Sequence, residues 1–177
     1  MGCLIMTWTY IYQYAEALEI DSVTAGYYQM AAFVIFTIGR AVGTYLLRMV
    51  SAGKLLMYFA LLGVIFTAGA IFINSIVGLY SLVGVSFAMS LMFPTIYGIA
   101  LGELNEDQSK VGSAGLIMSI VGGALMPKLQ ALIIDIDGNG VADVKILGVP
   151  EINISYILPL VCFLYIVWYG NFANKIS

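Results

Sequence analysis

The sequence predicts an all-α membrane protein built on six transmembrane helices. Three observations carry that prediction. Of 177 residues, 62% are hydrophobic. Seven Lys/Arg and ten Asp/Glu supply all the side-chain charge. The apolar residues fall in runs long enough to cross a bilayer. A soluble domain is about 45–50% apolar and about 25% charged, so a soluble globular enzyme is excluded by composition. Disorder is excluded by the same apolar content and by 12 Tyr and 9 Phe. A closed barrel would need strands that alternate between lipid and lumen. The run from Leu55 to Ile73 is apolar on every side, so helices are predicted.

A hydrocarbon core ~30 Å thick takes about 20 residues of helix. Six segments qualify, at about 1–15, 25–49, 54–73, 76–101, 111–134 and 154–169, and together they predict a single six-helix bundle over 1–177. Fifteen residues rise only about 22 Å. The first span is therefore expected to begin inside a helix, with chain missing upstream. No basic stretch followed by a small-residue cleavage site marks a signal peptide. Arg48, Lys54, Lys110 and Lys175 fall on one side of the six spans, while Glu16, Glu19, Asp21 and the acidic 135–151 segment fall on the other. Because Lys and Arg favour the cytoplasm, both termini are predicted to be cytoplasmic. Trp168 and Tyr169 then sit in an inner aromatic belt, and Tyr27 and Tyr28 in an outer one.

Polar groups inside a bilayer are expensive, so they carry the functional information. Span one holds Thr7-Trp8-Thr9-Tyr10, Tyr12, Gln13 and Glu16. Trp8, Tyr12 and Glu16 are four apart and share one helix face, with Thr9 and Gln13 on the neighbouring face. Rings beside amides and hydroxyls suit a sugar, because rings stack on pyranose C–H faces while Gln and Tyr bond its hydroxyls. The plainer reading is interfacial aromatics, and for Glu16 a boundary acid. Span four carries Met92-Phe93-Pro94-Thr95-Ile96-Tyr97, where Pro94 lacks an N–H and clashes with the Ser90 carbonyl, so a kink is expected there. Phe93 and Tyr97 repeat the four-residue spacing. Spans one to three and four to six enter from opposite sides, which allows an inverted 3+3 repeat with spans one and four equivalent.

The remaining signals are weaker. Gly39/Gly43, Gly98/Gly102 and the Gly115-Ser119-Gly123 stripe predict close helix contacts. Arg40 and Lys128 are read as snorkelling or paired cations. Cys3 and Cys162 are read as small hydrophobes, with neither a disulfide nor a metal site inferred. The chain has no His, which removes Ser-His and Cys-His pairs, and no basic patch suggests nucleic acid. Asp135-Ile-Asp137-Gly-Asn139-Gly140-Val-Ala-Asp143 follows the start of an EF-hand loop, but Ile146 replaces the closing Glu. A polar outward loop is the favoured reading.

Four segments together resemble a known family. They are Thr7-Trp-Thr-Tyr-Ile-Tyr-Gln-Tyr-Ala15, Ile38-Gly-Arg-Ala-Val-Gly-Thr-Tyr-Leu46, Phe93-Pro-Thr-Ile-Tyr97 and Gly112-Ser-Ala-Gly-Leu-Ile-Met-Ser-Ile-Val-Gly-Gly-Ala-Leu-Met-Pro127. In this order the chain is similar to the carboxy-terminal half of the fucose/glucose/galactose permease family of the major facilitator superfamily, over nearly its whole length. The resemblance implies one six-helix half of a twelve-span, inner-membrane sugar:proton symporter that works by alternating access and is inactive alone. Its implied partners are L-fucose or a related hexose, protons, the lipid bilayer and a missing amino-terminal six-helix half; no cofactor, metal or catalytic residue is implied. Trp8, Tyr12, Gln13, Phe93 and Tyr97 then fall on the two helices that line the central cavity. Leu4 departs from the family, which often has a polar residue there, and the outer loop after span five is long and acidic. The competing function is a non-transporting six-helix scaffold or subunit. An intramembrane enzyme ranks last, because no Ser-His, HExxH or paired mid-membrane Asp is present.

Overall fold

The computed structural model describes residues 2–102, 104–135, 145–146 and 149–176. Six rods are formed, three of them jointed. α1 (Gly2–Ala17), α2 (Ser22–Leu46) and α3 (Ala52–Phe72) are single helices. Span four is α4 (Ile76–Met89) followed by α5 (Met92–Leu101). Span five is α6 (Glu106–Met118), a 3₁₀ turn over Ser119–Val121, and α7 (Gly122–Ile134). Span six is a short α8 (Glu151–Ser155) and then α9 (Ile157–Ile176), preceded by a two-rung hairpin of β1 (Lys145–Ile146) and β2 (Val149–Pro150). The EF-hand-like sequence from residue 136 onward lies outside the described residues.

The helix limits follow local chemistry. Asp21 and Ser75 precede α2 and α4, and their side chains accept from the Val23 and Val77 amides, each at 3.3 Å, which satisfies otherwise orphaned donors. Span five starts five residues earlier than its apolar run, because Glu106 and Asp107 occupy the first turn, where acids complement the helix dipole. Span six runs on past residue 169, because the helix extends beyond the apolar stretch through Asn171 and Asn174. α1 closes in a Schellman turn. The Ile20 amide donates to Ala15 O at 3.1 Å and the Glu19 amide to Glu16 O at 2.9 Å. Glu19 itself has φ of 58°, a left-handed position that favours glycine. Glu19→Gly is expected to raise stability by about 1 kcal/mol, read as a higher thermal midpoint in detergent, whereas Glu19→Val should lower it.

The joint in span four has an identifiable cause. Pro94 removes one helical bond and its ring crowds the Ser90 carbonyl. The helix breaks at Ser90–Leu91 and resumes with the Thr95 amide donating to Leu91 O at 3.1 Å, while Ser90 Oγ turns back to Phe87 O at 2.7 Å. The glycine face of α2 fits against this break. A Cβ on Gly39 would lie 2.6 Å from Ser90 Oγ, and one on Gly43 would overlap Leu91. Those two glycines are thus the contact that the GxxxG spacing predicts. Gly123 likewise abuts Ile5, but Gly98 and Gly115 have nothing within 4 Å. Small-residue spacing marks a face that can be approached, and at these two positions the chain itself does not approach it. The tightest backbone crossing lies elsewhere, between α3 and α9. A Cβ on Gly170 would stand 3.0 Å from Met57 N, and one on Gly53 would stand 2.9 Å from Asn174 N.

Rod contacts obey a two-fold exchange. Span one packs on span five and span two on span four; span three packs on spans four and six, and span one also touches spans two, four and six, with span four touching span five. Exchanging one with four, two with five and three with six maps this set onto itself, as an inverted 3+3 repeat requires. Two buried clusters fill the bundle. One, around Tyr10, Tyr14, Leu79, Leu82 and Tyr156, lies toward the end that carries the 73–75 turn. The other, around Leu56, Phe59, Met89, Met92 and Phe163, lies toward the 47–51 turn. Spans two and five are the least buried.

Candidate functional site

Trp8 and Tyr12, although on one side of α1, have different neighbours. Trp8 is half-buried. Its ring meets Phe33 and Phe36 edge-on, at centroid distances of 4.6 and 5.1 Å. Its indole N–H donates to Ser86 Oγ on α4 at 3.3 Å, and its carbonyl accepts from Gln29 at 3.3 Å. The Arg40 guanidinium sits 5.4 Å from the centre of the Phe36 ring on the same stretch of α2. The indole donor is therefore engaged inside the bundle, which leaves the ring surface as what Trp8 can offer a ligand. Arg40 is exposed, and a cation–π contact spreads its charge over an aromatic face.

Tyr12 is 37% exposed. With Glu16, Ile20, Ser22 and Ala25 it lines a hollow of about 300 Å³ between the end of α1 and the start of α2. Gln13, half-buried beside it, has a fully buried Oε1 with no hydrogen-bond partner. An orphaned buried carbonyl costs about 1–3 kcal/mol, and a ligand hydroxyl or a water would relieve that cost. Phe93 and Tyr97 are half-buried on α5, with ring centroids 6.2 Å apart. They are not among the residues that line the Tyr12 hollow. The five predicted residues thus fall in four places: Trp8 in an aromatic box, Tyr12 at an open hollow, Gln13 next to it in sequence with its carbonyl buried and not among the residues that line that hollow, and Phe93 with Tyr97 beyond the span-four joint.

A second polar cluster escaped the sequence reading. Tyr14 Oη, from α1, donates toward Ala70 O and Ile73 O at 2.9 and 3.1 Å. Asn153 Nδ2, from α8, reaches Tyr14 Oη at 3.0 Å and Ala70 O at 2.9 Å. These groups cap carbonyls that the end of α3 leaves without a helical partner. Gln130 donates to Ser155 Oγ at 2.9 Å, and Tyr10 Oη to Pro127 O at 2.8 Å. Glu151, read from sequence as a loop acid, is 2% exposed. Its Oε1, Gln130 Oε1 and Tyr156 Oη are buried without partners. The available signal was Tyr10 and Tyr14 spaced four apart on the face opposite Tyr12. What they bonded to, 139 residues away in the case of Asn153, was not visible in that spacing.

No family model matches the chain. It is 46% identical over 176 residues to the L-fucose-proton symporter of Haemophilus influenzae, covering 99% of this chain and 39% of that protein. It is 29% identical over 178 residues to the L-fucose-proton symporter of Escherichia coli, covering 99% and 37%. A putative glucose/galactose transporter of Helicobacter pylori is 31% identical over 162 residues, covering 90% and 37%. The chain therefore spans less than two fifths of the length of these relatives. The crystal structure of a major facilitator superfamily transporter, FucP, in the outward conformation superposes with a TM-score of 0.85 at 28% identity, covering 97% of this chain and 39% of that one. A variant of the Escherichia coli fucose:proton symporter gives 0.84 with the same coverage.

Proposed function

We propose that this chain, which resembles L-fucose-proton symporters along 99% of its length and has the fold of one six-helix half of a major facilitator superfamily transporter, is the carboxy-terminal half of a proton-coupled transporter of L-fucose or a related hexose. It sits in the inner membrane with both termini cytoplasmic, an orientation supported by Arg48, Lys54 and Lys110 at one end of the bundle. Alternating access rocks one bundle against another around a shared site, so the second bundle has to come from an amino-terminal six-helix half. The two least buried spans, two and five, are the faces that such a half would cover.

The observation that carries the sugar reading is the pairing of an open Tyr12 ring with the unpartnered Gln13 carbonyl on one turn of α1. A pyranose presents C–H faces to a ring and hydroxyl donors to a carbonyl, and the exposed Tyr12 ring and the unpartnered Gln13 carbonyl match those two needs. Trp8 extends the aromatic surface one turn along, and Phe93 and Tyr97 would close the site from span four. No side chain here is assigned a catalytic task.

Joining this chain to the amino-terminal half of the Haemophilus influenzae symporter and measuring labelled L-fucose entry into vesicles tests the reading. Uptake driven by an inward proton gradient is expected. Gln13→Leu and Tyr12→Ala should each lower it at least about tenfold, the loss expected when a buried polar contact or a ring surface of about 1.4 kcal/mol or more is removed. Fucose or galactose binding that is absent from the joined protein would point instead to a non-transporting six-helix scaffold.

A further inference from the structure

We propose that Cys3 and Cys162 form a reversible dithiol–disulfide site that clasps the first membrane span to the last. These are the chain's two cysteines, and both are free and half-buried. The fold brings them together. They line one hollow of about 490 Å³, walled by Gly2, Ser119, Gly122 and Met126 and opening between α1, the joint of span five and α9. α1 and α9 touch along this hollow, so the two thiols face one shared space between helices in contact. Cysteines that serve only as small hydrophobes have no need of one another, whereas a disulfide needs its two Cβ atoms about 3.5–4.5 Å apart. Thiols that face one hollow from two touching helices can reach that geometry by side-chain rotation, and the hollow gives room for it. Its apolar wall (Met126, Val161, Ile166) selects a small apolar disulfide over a charged one.

The step balances as ordinary exchange. The thiolate of one cysteine attacks a sulfur of RSSR, forming a mixed disulfide and releasing RSH after protonation. The second cysteine then attacks the protein sulfur of that mixed disulfide, forming the Cys3–Cys162 bond and expelling a second RSH. Two protein thiols are oxidised and one small disulfide is reduced. The bond closes a loop of nearly the whole chain, the case in which cross-linking restricts the unfolded ensemble most.

The test uses the purified 177-residue chain in detergent with dithiodipyridine as the small disulfide. Two thiopyridones released per chain, no pyridyl group retained, and a monomer mass lower by two hydrogens are expected, all reversed by dithiothreitol. Cys162→Ser should release one thiopyridone and keep one pyridyl adduct on Cys3. Two retained adducts on the unmutated chain would overturn the proposal. So would thiols that stay unreacted while the unfolded chain reacts, or a bridge that links two chains.

Discussion

Asn153→Leu is expected to destabilise the bundle by about 1–3 kcal/mol. The side chain is 1% exposed and holds three parts of the fold at one point: Tyr14 of α1, the Ala70 carbonyl at the end of α3, and its own helix α8. Leucine has similar bulk but no donor. The substitution would take one of two donors from the Ala70 carbonyl and the donor from the Tyr14 hydroxyl oxygen, in a place with no bulk water. Tyr14 Oη still donates to Ala70 O and Ile73 O, so the loss is that of two buried hydrogen bonds rather than of two stranded groups, about 1–3 kcal/mol in all. Interhelical hydrogen bonds in membranes average less than this, because the unfolded chain finds other partners. The figure is high here because one amide serves two acceptors. Tyr14→Phe should cost less, about 1 kcal/mol, since Asn153 still caps Ala70. Reversible unfolding in mixed micelles, followed by tryptophan fluorescence, measures both. A loss below about 0.5 kcal/mol for Asn153→Leu would show that the cluster is dispensable.

Gly170→Leu should cost about 1–3 kcal/mol through overpacking and is expected to part α9 from α3. A Cβ at this position meets backbone, with Met57 N at 3.0 Å and Gly53 O at 3.2 Å. A flexible neighbour could rotate away, but a helix backbone cannot. The two rods would have to separate, which loosens Phe163, whose ring packs within 2.6 Å of where a Gly63 Cβ would stand. Gly98→Ala and Gly115→Ala are the matched controls. Nothing lies within 4 Å of either position, so in the isolated chain each should be neutral or gain up to about 1 kcal/mol from helix propensity. Unfolding free energies of the three variants, measured side by side, decide the matter, and equal losses at Gly170 and Gly98 would contradict the packing described.

What could be read without a structure was whatever depends on near neighbours. Pro94 acts on the carbonyl four residues back, so the break at Ser90–Leu91 followed from the residues alone. Apolar runs give rods for the same reason. Gly39 and Gly43 were identifiable as a contact face because their spacing is local, yet the same rule also selected Gly98 and Gly115, which this chain leaves open. Partners across the bundle were beyond reach. Trp8 shares a face with Tyr12 by spacing, but its indole N–H is taken up by Ser86 and its ring also meets Phe33 and Phe36 edge-on. Glu151 looked like one acid among several in a loop, because nothing near it in sequence says that α8 folds inward. The thiols of Cys3 and Cys162 stand near opposite ends of the chain, and only the closure of span six against span one brings them together.

The order in which a ribosome delivers these rods has a consequence at the Tyr14–Ala70–Asn153 junction. Of the three groups, Tyr14 leaves the exit tunnel before the others and can meet the third rod as soon as Ala70 follows. The amide that completes the junction is translated 83 residues after Ala70. Throughout that interval the Tyr14 hydroxyl is the side-chain donor at the end of α3, and the place of the Asn153 amide falls to water. The junction thus stays incomplete until span six inserts, and Asn153 completes what Tyr14 began.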